Sequence, residues 1–281
     1  MTFLITGATG NIGSRIVKKL IERGVRPRVF VRDPAKAKDR FGDQVDIFVG
    51  DFEDEASLAR AMKGVDSLML VTAGSDLALH DRAAADAARA ANVGLIVKLS
   101  SYDAADRIGT GVWHANGEAA ISEAGIPHVF VRPSGFMDNA LHWAHSIKAE
   151  GVVRSPTAEG AVALIHPDDI VDVAVEALSG NQSESCLPIT GPSAMTFAEM
   201  TSIIGAALGR TLRYEACSAD SLRQQLAAVN APQAMVDARL STMQAIRDGL
   251  YAEVSDVVEH VLGRPPIEFE VWVAENKNAF V

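Results

Sequence analysis

The chain has 281 residues, 48% hydrophobic and 22% charged, enough to bury a large core as one domain or one and a half. Its formal net charge is −10 and its pI about 5.2, and no Lys/Arg cluster is present, which argues against direct nucleic-acid binding. The longest apolar runs, residues 65–73 and 93–99, are far too short to span a bilayer. No charged leader precedes an apolar segment, and Cys186 and Cys217 alone cannot make a disulfide scaffold, so a cytoplasmic protein without an export signal is expected.

The first twenty-five residues carry the strongest signal. An apolar run, Phe3-Leu4-Ile5-Thr6, leads into Gly7-Ala8-Thr9-Gly10-Asn11-Ile12-Gly13, and Ile12, Ile16, Val17, Leu20 and Ile21 then recur at helical spacing until Gly24. A strand passing through glycines into a helix is how a dinucleotide pyrophosphate is held, because the free N–H groups and the positive end of the helix face the phosphates. The spacing is G-x-x-G-x-x-G, one residue longer between the first two glycines than the basic fingerprint.

Further strands are predicted at residues 28–31, 45–49, 67–71, 95–99 and 128–131, with helices at 55–63, 77–92 and 115–123 between them. Near-continuous apolar strands alternating with helices predict an α/β fold with a doubly wound parallel Rossmann sheet, its ligands at the carboxyl ends of the strands. Gly7, Arg32, Asp51, Thr72, Ser100 and Arg132-Pro133 then share one edge. Past Pro133 the alternation loosens. A helix is expected over 136–148, a strand over 161–165, a helix over 167–178 opened by His166-Pro167-Asp168-Asp169, a late strand at 186–190, and mostly helix from Thr196 on. This divides the chain into an NAD(P)-binding domain, 1–135, and a smaller, mostly helical substrate-capping region, 136–281, whose late strand at 185–190 can return to the main sheet. No metal site is expected, since His142 and His145 lack a third ligand at clear spacing.

Coenzyme choice turns on the end of the second strand, where the acidic residue of NAD binders normally sits. Arg32 stands there, with a fork of donors suited to a 2′-phosphate, and Asp33 follows it. Asp33 has a ready role as the N-cap ahead of Pro34, so NADP(H) is favoured over NAD(H); turned inward to the ribose instead, Asp33 would select NAD.

Taken with Val31-Arg32-Asp33-Pro34, Gly50-Asp51-Phe52, Leu99-Ser100-Ser101, Gly125-Ile126-Pro127, the run from Arg132 to Asn139, Ile189-Thr190-Gly191-Pro192 and the tail Leu262-Gly263-Arg264-Pro265-Pro266, the sequence resembles the NmrA-like group of atypical short-chain dehydrogenases/reductases along essentially its whole length. That group includes quinone and azo-dye reductases, isoflavone-type reductases, and regulators that bind the nucleotide without turning it over. The resemblance implies that Thr9, Gly10, Asn11, Ile12 and Gly13 hold the pyrophosphate, Arg32 the 2′-phosphate, and Asp51 and Phe52 the adenine. It further implies Thr72, Ala73 and Gly74 at the ribose, and Pro133, Ser134, Gly135 and Phe136 at the nicotinamide.

The chain departs from the wider superfamily in one respect. A Tyr-x-x-x-Lys pair normally donates the proton, and none of Tyr102, Tyr214 and Tyr251 has a lysine four residues on. In isoflavone-type reductases a lysine stands eleven residues before Gly-Ile-Pro; His114 occupies that position. His114, Ser100 and Tyr102 are therefore the catalytic candidates. Set against this, His114 can be a half-exposed histidine at a helix start and Ser100 a hydroxyl satisfying backbone at a strand end. Trp113, Phe136, Met137 and Trp143 can line an apolar pocket for a flat substrate, although Met137 and Trp143 also fit a helical core stripe. The expected activity is NAD(P)H-dependent hydride transfer to a quinone, azo compound or activated enone, by a monomer or homodimer touching neither membrane nor nucleic acid. The alternative is a non-catalytic NADP(H) sensor; a sugar-nucleotide epimerase is disfavoured by the missing Tyr/Lys pair.

Overall fold

A computed structural model describes residues 1–180 and 182–281. The apolar runs read from the sequence form parallel strands: β1 Phe3–Thr6, β2 Arg28–Val31, β3 Asp46–Val49, β4 Ser67–Leu70, β5 Leu95–Leu99 and β6 His128–Pro133. The connecting helices are α1 Asn11–Glu22, α2 Pro34–Phe41, α3 Glu55–Met62, α4 Leu77–Ala90 and α5 Gly111–Glu123. Two short strands of the later chain, β7 Val152–Ser155 and β8 Ala161–Val162, come after helix α6 Ala144–Glu150. Helix α7 Pro167–Leu178 then leads to β9 Cys186–Ile189, which closes the sheet in the order β3-β2-β1-β4-β5-β6-β9. The order reverses between β1 and β4, and in doubly wound sheets that switch point is where a ligand crevice opens.

The chain divides into two compact units. The first takes Met1–Ala105, Val112–Arg132 and Ile170–Leu187. Its core is a stack of strand and helix faces including Leu4, Phe30, Leu68, Leu70, Ile96 and Phe130, packed on Leu58, Met62, Ala84, Ala88 and Ile121. Most of helix α7 belongs to it: Lys19 of α1 and Arg23 just past its end reach Asp172 and Glu176, each at 2.7 Å.

The second unit takes Asp106–Gly111, Pro133–Asp169 and Pro188–Val281. It contains α6, β10 Met195–Thr196 paired antiparallel with β8, β11 Arg213–Ala216 paired parallel with β7, and the later helices α8 Phe197–Leu208, α9 Ala219–Ala228, α10 Gln233–Arg247, α11 Val257–Leu262 and α12 Phe269–Asn276. Fully buried Asp169 ties this unit together, accepting from Arg264 at 2.6 Å and from the backbone N–H of Ile267 at 2.7 Å. The Gly-Arg-Pro-Pro tail thus has a structural job.

Local expectations differ from the structure in four places. The segment at 136–148 is a 3₁₀ helix, Met137–Trp143, before α6 begins, because Met137 N–H is drawn to Ile165 O (2.9 Å) instead of opening an α-turn. Only Ala161–Val162 of the 161–165 run lies in a ladder; Ala163 and Ile165 donate instead to Tyr251 O and Gly135 O. Helix α5 starts at Gly111, four residues before the expected start. Strand β11 is too polar to read as one: Arg213, Tyr214 and Glu215 give no apolar alternation, and only its ladder with β7 reveals it.

Candidate active site

Three glycines shape the turn after β1. Gly7 has φ +58°, and a Cβ there would meet Val71 Cγ1 at 2.9 Å. Gly7 O accepts from Gly10 N–H at 2.9 Å, and a Cβ on Gly13 would stand 2.2 Å from that same oxygen. So Gly7 permits the left-handed bend, and Gly13 lets α1 close on the strand. Thr6 Oγ1 accepts from Val71 N–H at 2.8 Å and donates to Val71 O at 3.1 Å, tying the ends of β1 and β4 across the switch point. Helix α1 begins with no side-chain cap and no acidic residue in its first turn. Such an end suits an anion, and the cradle has the tight backbone that a pyrophosphate requires.

At the end of β2, Asp33 Oδ1 accepts from Ala35 and Lys36 N–H at 3.0 and 3.2 Å, capping α2. Arg32 is left with a side chain 85% exposed and only a loose approach of 4.0 Å to Asp51. Arg40 of α2 donates to Thr9 O at 3.1 Å, placing a second cation on the glycine turn. After β3, Gly50 is demanded by Ser57 and Phe30, whose atoms would lie 2.3 and 2.5 Å from a Cβ. Asp51 Oδ1 accepts from Glu53 N–H at 3.1 Å, and half-buried Phe52 stacks on His80 with centroids 5.1 Å apart.

Two buried polar clusters lie beneath the carboxyl edge. In one, fully buried Lys98 of β5 forms an ion pair with Asp81 Oδ2 of α4 and donates to Thr72 Oγ1, each at 2.9 Å, while Thr72 donates to Asp81 Oδ1 at 2.7 Å. Gly117 of α5 leaves the room: a Cβ there would stand 2.0 Å from Asp81 Oδ2. Thr72 is thus turned into the protein, leaving Ala73 and Gly74 exposed beside it. In the other cluster, Ser100 donates to Glu118 at 2.5 Å, and Glu118 takes both Nε and Nη2 of Arg132 at 2.9 and 2.5 Å. That bidentate pair holds the Arg132 guanidinium above its ordinary pKa.

His114 is half-buried on α5, and its Nδ1 has no hydrogen-bond partner. Burial, reinforced by the positive charge of Lys98, pushes its pKa down to about 3. At neutral pH it is an uncharged imidazole, able to offer one N–H but not to serve as an imidazolium acid. Tyr102 sits half-buried in a 3₁₀ turn, Tyr102–Ala104, that follows β5, and Trp113 is half-buried one residue before His114.

In the second unit, the segment after β6 is strapped to 163–165. Ser134 Oγ donates to Ala163 O, Ile165 N–H donates to Gly135 O at 2.9 Å, and a Cβ on Gly135 would meet Leu164 Cδ2 at 2.7 Å. Phe136 remains half-exposed, Met137 is fully buried, and Trp143 leans on Phe197 with centroids 4.9 Å apart. Asp138 accepts from Trp272 Nε1 at 2.8 Å.

The buried partners Lys98, Asp81 and Glu118 were not singled out in the sequence, and Arg132, placed there at the carboxyl edge, was not paired with Glu118. A lysine in the middle of the apolar run Leu95–Leu99 is the one signal that could have found them.

Residues 7–180 match a family model described as NAD(P)H-binding. Along 99% of its length the chain is 38% identical to a (4-alkanoyl-5-oxo-2,5-dihydrofuran-3-yl)methyl phosphate reductase of Streptomyces griseus, covering 98% of that protein. It is also 33% identical to an NAD(P)H azoreductase of Xenophilus azovorans, again over 99% of this chain and 98% of the relative. An NADPH-dependent quinone oxidoreductase from Escherichia coli, solved with NADPH, shares the fold with a TM-score of 0.89 at 24% identity, over 98% of this chain and 99% of that one. The resemblance drawn from the sequence motifs holds: the chain belongs to the NAD(P)H-binding family and is an NAD(P)H-dependent reductase.

Proposed function

We propose that the protein uses NADPH in preference to NADH and reduces a small aromatic or conjugated acceptor. The observation that carries the coenzyme choice is the division of labour at Arg32 and Asp33. Asp33 is engaged through Oδ1 as the cap of α2, which commits its carboxylate to the helix start, and the exposed Arg32 guanidinium suits a 2′-phosphate. Gly7, Gly10 and Gly13 with the start of α1 would hold the pyrophosphate, Phe52 would pack against the adenine, and Pro133 to Phe136 would flank the nicotinamide. When bound, the reduced nicotinamide supplies a hydride, and the protein's part is to position the acceptor and exclude water.

The acceptor class follows from the state of the candidate acids. His114 is uncharged at neutral pH, and the Ser100 hydroxyl is engaged by Glu118. A site of this kind suits an acceptor that needs little protonation as hydride arrives: a quinone, an azo compound or an activated enone. The names of the relatives support that reading, since the Streptomyces protein is named for a ring alkene conjugated to carbonyls and the Xenophilus protein for azo reduction. His114 would offer its N–H to an acceptor carbonyl, and water would complete the protonation.

The test is purified protein with NADPH or NADH and a panel of quinones, azo dyes and 2-acylbutenolides, followed at the nicotinamide absorbance. Acceptor-dependent oxidation with a lower KM for NADPH is the expected result. Tight NADP binding without turnover on any acceptor would instead favour the sensor reading.

A further inference from the structure

Every half-buried arginine of the second unit but one holds an assigned partner. Arg154 of β7 binds Glu150 and Glu215 at 2.8 and 3.0 Å, and Arg264 binds Asp169 at 2.6 Å. Arg239 of α10 is the exception: among the described residues no carboxylate comes within 4.0 Å of its guanidinium, and no hydrogen bond engages it. Val236 and Met243, three residues before and four after it, are both buried, so Arg239 lies on the inward stripe of α10. The nearby acid on the same helix, Asp237, points away and is taken by Arg223 at 3.7 Å and Gln233 at 2.8 Å.

Two segments of the unit frame this stretch. Gly109, at φ +53°, lies against α10 so closely that a Cβ would stand 2.3 Å from Thr242 Oγ1 and 2.9 Å from Ala238 O. The 3₁₀ turn Met137–Trp143 brings His142 near enough that the Arg239 charge, added to burial, lowers the imidazole pKa. Burial of the side chain likewise lowers that of Arg239 itself, while its guanidinium nitrogens keep contact with solvent. A permanently charged, half-buried group with five donors, reachable from solvent and left without a protein acceptor, is placed to receive an oxyanion.

We propose that Arg239 is a substrate-anchoring residue that binds an oxyanion, a phosphate monoester, carried by the acceptor. The proposal rests on the reductase reading above and gives it a substrate class: a conjugated acceptor bearing a charged tetrahedral group away from the reducible bond. The phosphate ester in the name of the Streptomyces relative is of that class. No bond is made or broken at Arg239; it fixes orientation through a planar fork that a lysine does not reproduce.

Two measurements on the full chain test it. With NADPH saturating, so that the glycine turn is filled, inorganic phosphate is titrated while ³¹P line broadening is followed. Wild-type protein should show saturable broadening, Arg239→Gln none, and Arg239→Lys a weakened response. Equal broadening in wild type and Arg239→Gln overturns the proposal, as does absence of saturable broadening in the wild type. Separately, NADPH oxidation is compared with 1,2-naphthoquinone and its 4-sulfonate, whose anionic group stands in for the phosphate. Arg239→Gln should raise KM for the sulfonate by about tenfold or more while leaving KM for the parent quinone and the affinity for NADPH unchanged. A like change for both quinones, or none for either, refutes the assignment. If the wild type reduces neither quinone, the acceptor reading fails and the phosphate titration still decides the anion site. A melting curve guards against a merely structural arginine: Arg239→Gln should melt at or above the wild-type temperature, and a marked fall would count against an unpaired anchor.

Discussion

Arg32 and Asp33 are neighbours with opposite charges, and the backbone decides which of them meets the coenzyme. Because Asp33 closes the orphan N–H groups at the start of α2, Arg32→Ala should weaken NADPH binding by about 1–3 kcal/mol and leave NADH nearly untouched, measurable by fluorescence titration. Equal losses for both coenzymes would remove the basis for the NADPH preference. His114 carries a second prediction at this scale. Its folded pKa of about 3 lies below the unfolded value of about 6.5, so the unfolded state takes up a proton first as the pH falls. The stability that neutral His114 confers is complete above pH 6.5 and is lost at up to about 1.4 kcal/mol per pH unit on the way to pH 3. Urea melts of His114→Asn between pH 6 and 4 should therefore show a shallower decline than the wild type.

Between elements, the glycine turn and the buried ion pair make different demands. Gly13→Ala would drive a methyl group into Gly7 O, so α1 must shift off the strand; loss of NADPH binding together with a lowered melting temperature is expected. Removing one partner of Lys98–Asp81 leaves a lone charge at the junction of β5 and α4. Asp81→Asn should destabilise the protein by about 3–5 kcal/mol, read from chemical denaturation. The glycine turn was legible because its signal is local: a strand, three glycines and an amphipathic helix within twenty-five residues. The Asp33 cap was legible for the same reason. Lys98, Asp81 and Gly117 were not, because their relation exists only once β5, α4 and α5 are packed together, and no spacing along the chain encodes it. The same holds for Glu118 and Arg132, fourteen residues apart on a helix and a strand. At Met137–Trp143 the apolar pattern suggested a helix, and tertiary hydrogen bonds to Ile165 tightened it to a 3₁₀ turn.

For the whole molecule, the alternation of strands and helices was enough to anticipate the parallel sheet, since each βα unit announces itself in sequence. The way the chain is shared between its two units was harder to foresee. Residues 170–187 rejoin the first unit after a long excursion; the late strand returns as β9 to the edge of β6, as its sequence allowed, and α7 comes with it onto α1, which no local pattern announced. A fragment ending at residue 135, where the strand–helix alternation stops, would lack both. It would leave an unpaired sheet edge at β6 and the α1 face without α7. Such a fragment should aggregate or show no cooperative unfolding transition by circular dichroism, whereas a chain retaining 1–187 should keep the secondary-structure signal of the sheet.

The sealed ε-amino group of Lys98 also makes the molecule its own opening gauge. Amine-directed acylating reagents need a solvated, deprotonated nitrogen, and this one is shut away with Asp81 and Thr72. Modification at Lys98 would accumulate only through excursions that part β5 from α4, while surface lysines such as Lys36 and Lys63 react at once. Mass-spectrometric peptide mapping over time would then convert the slow labelling of one buried side chain into a rate of transient unfolding, and a tightly bound coenzyme should slow it.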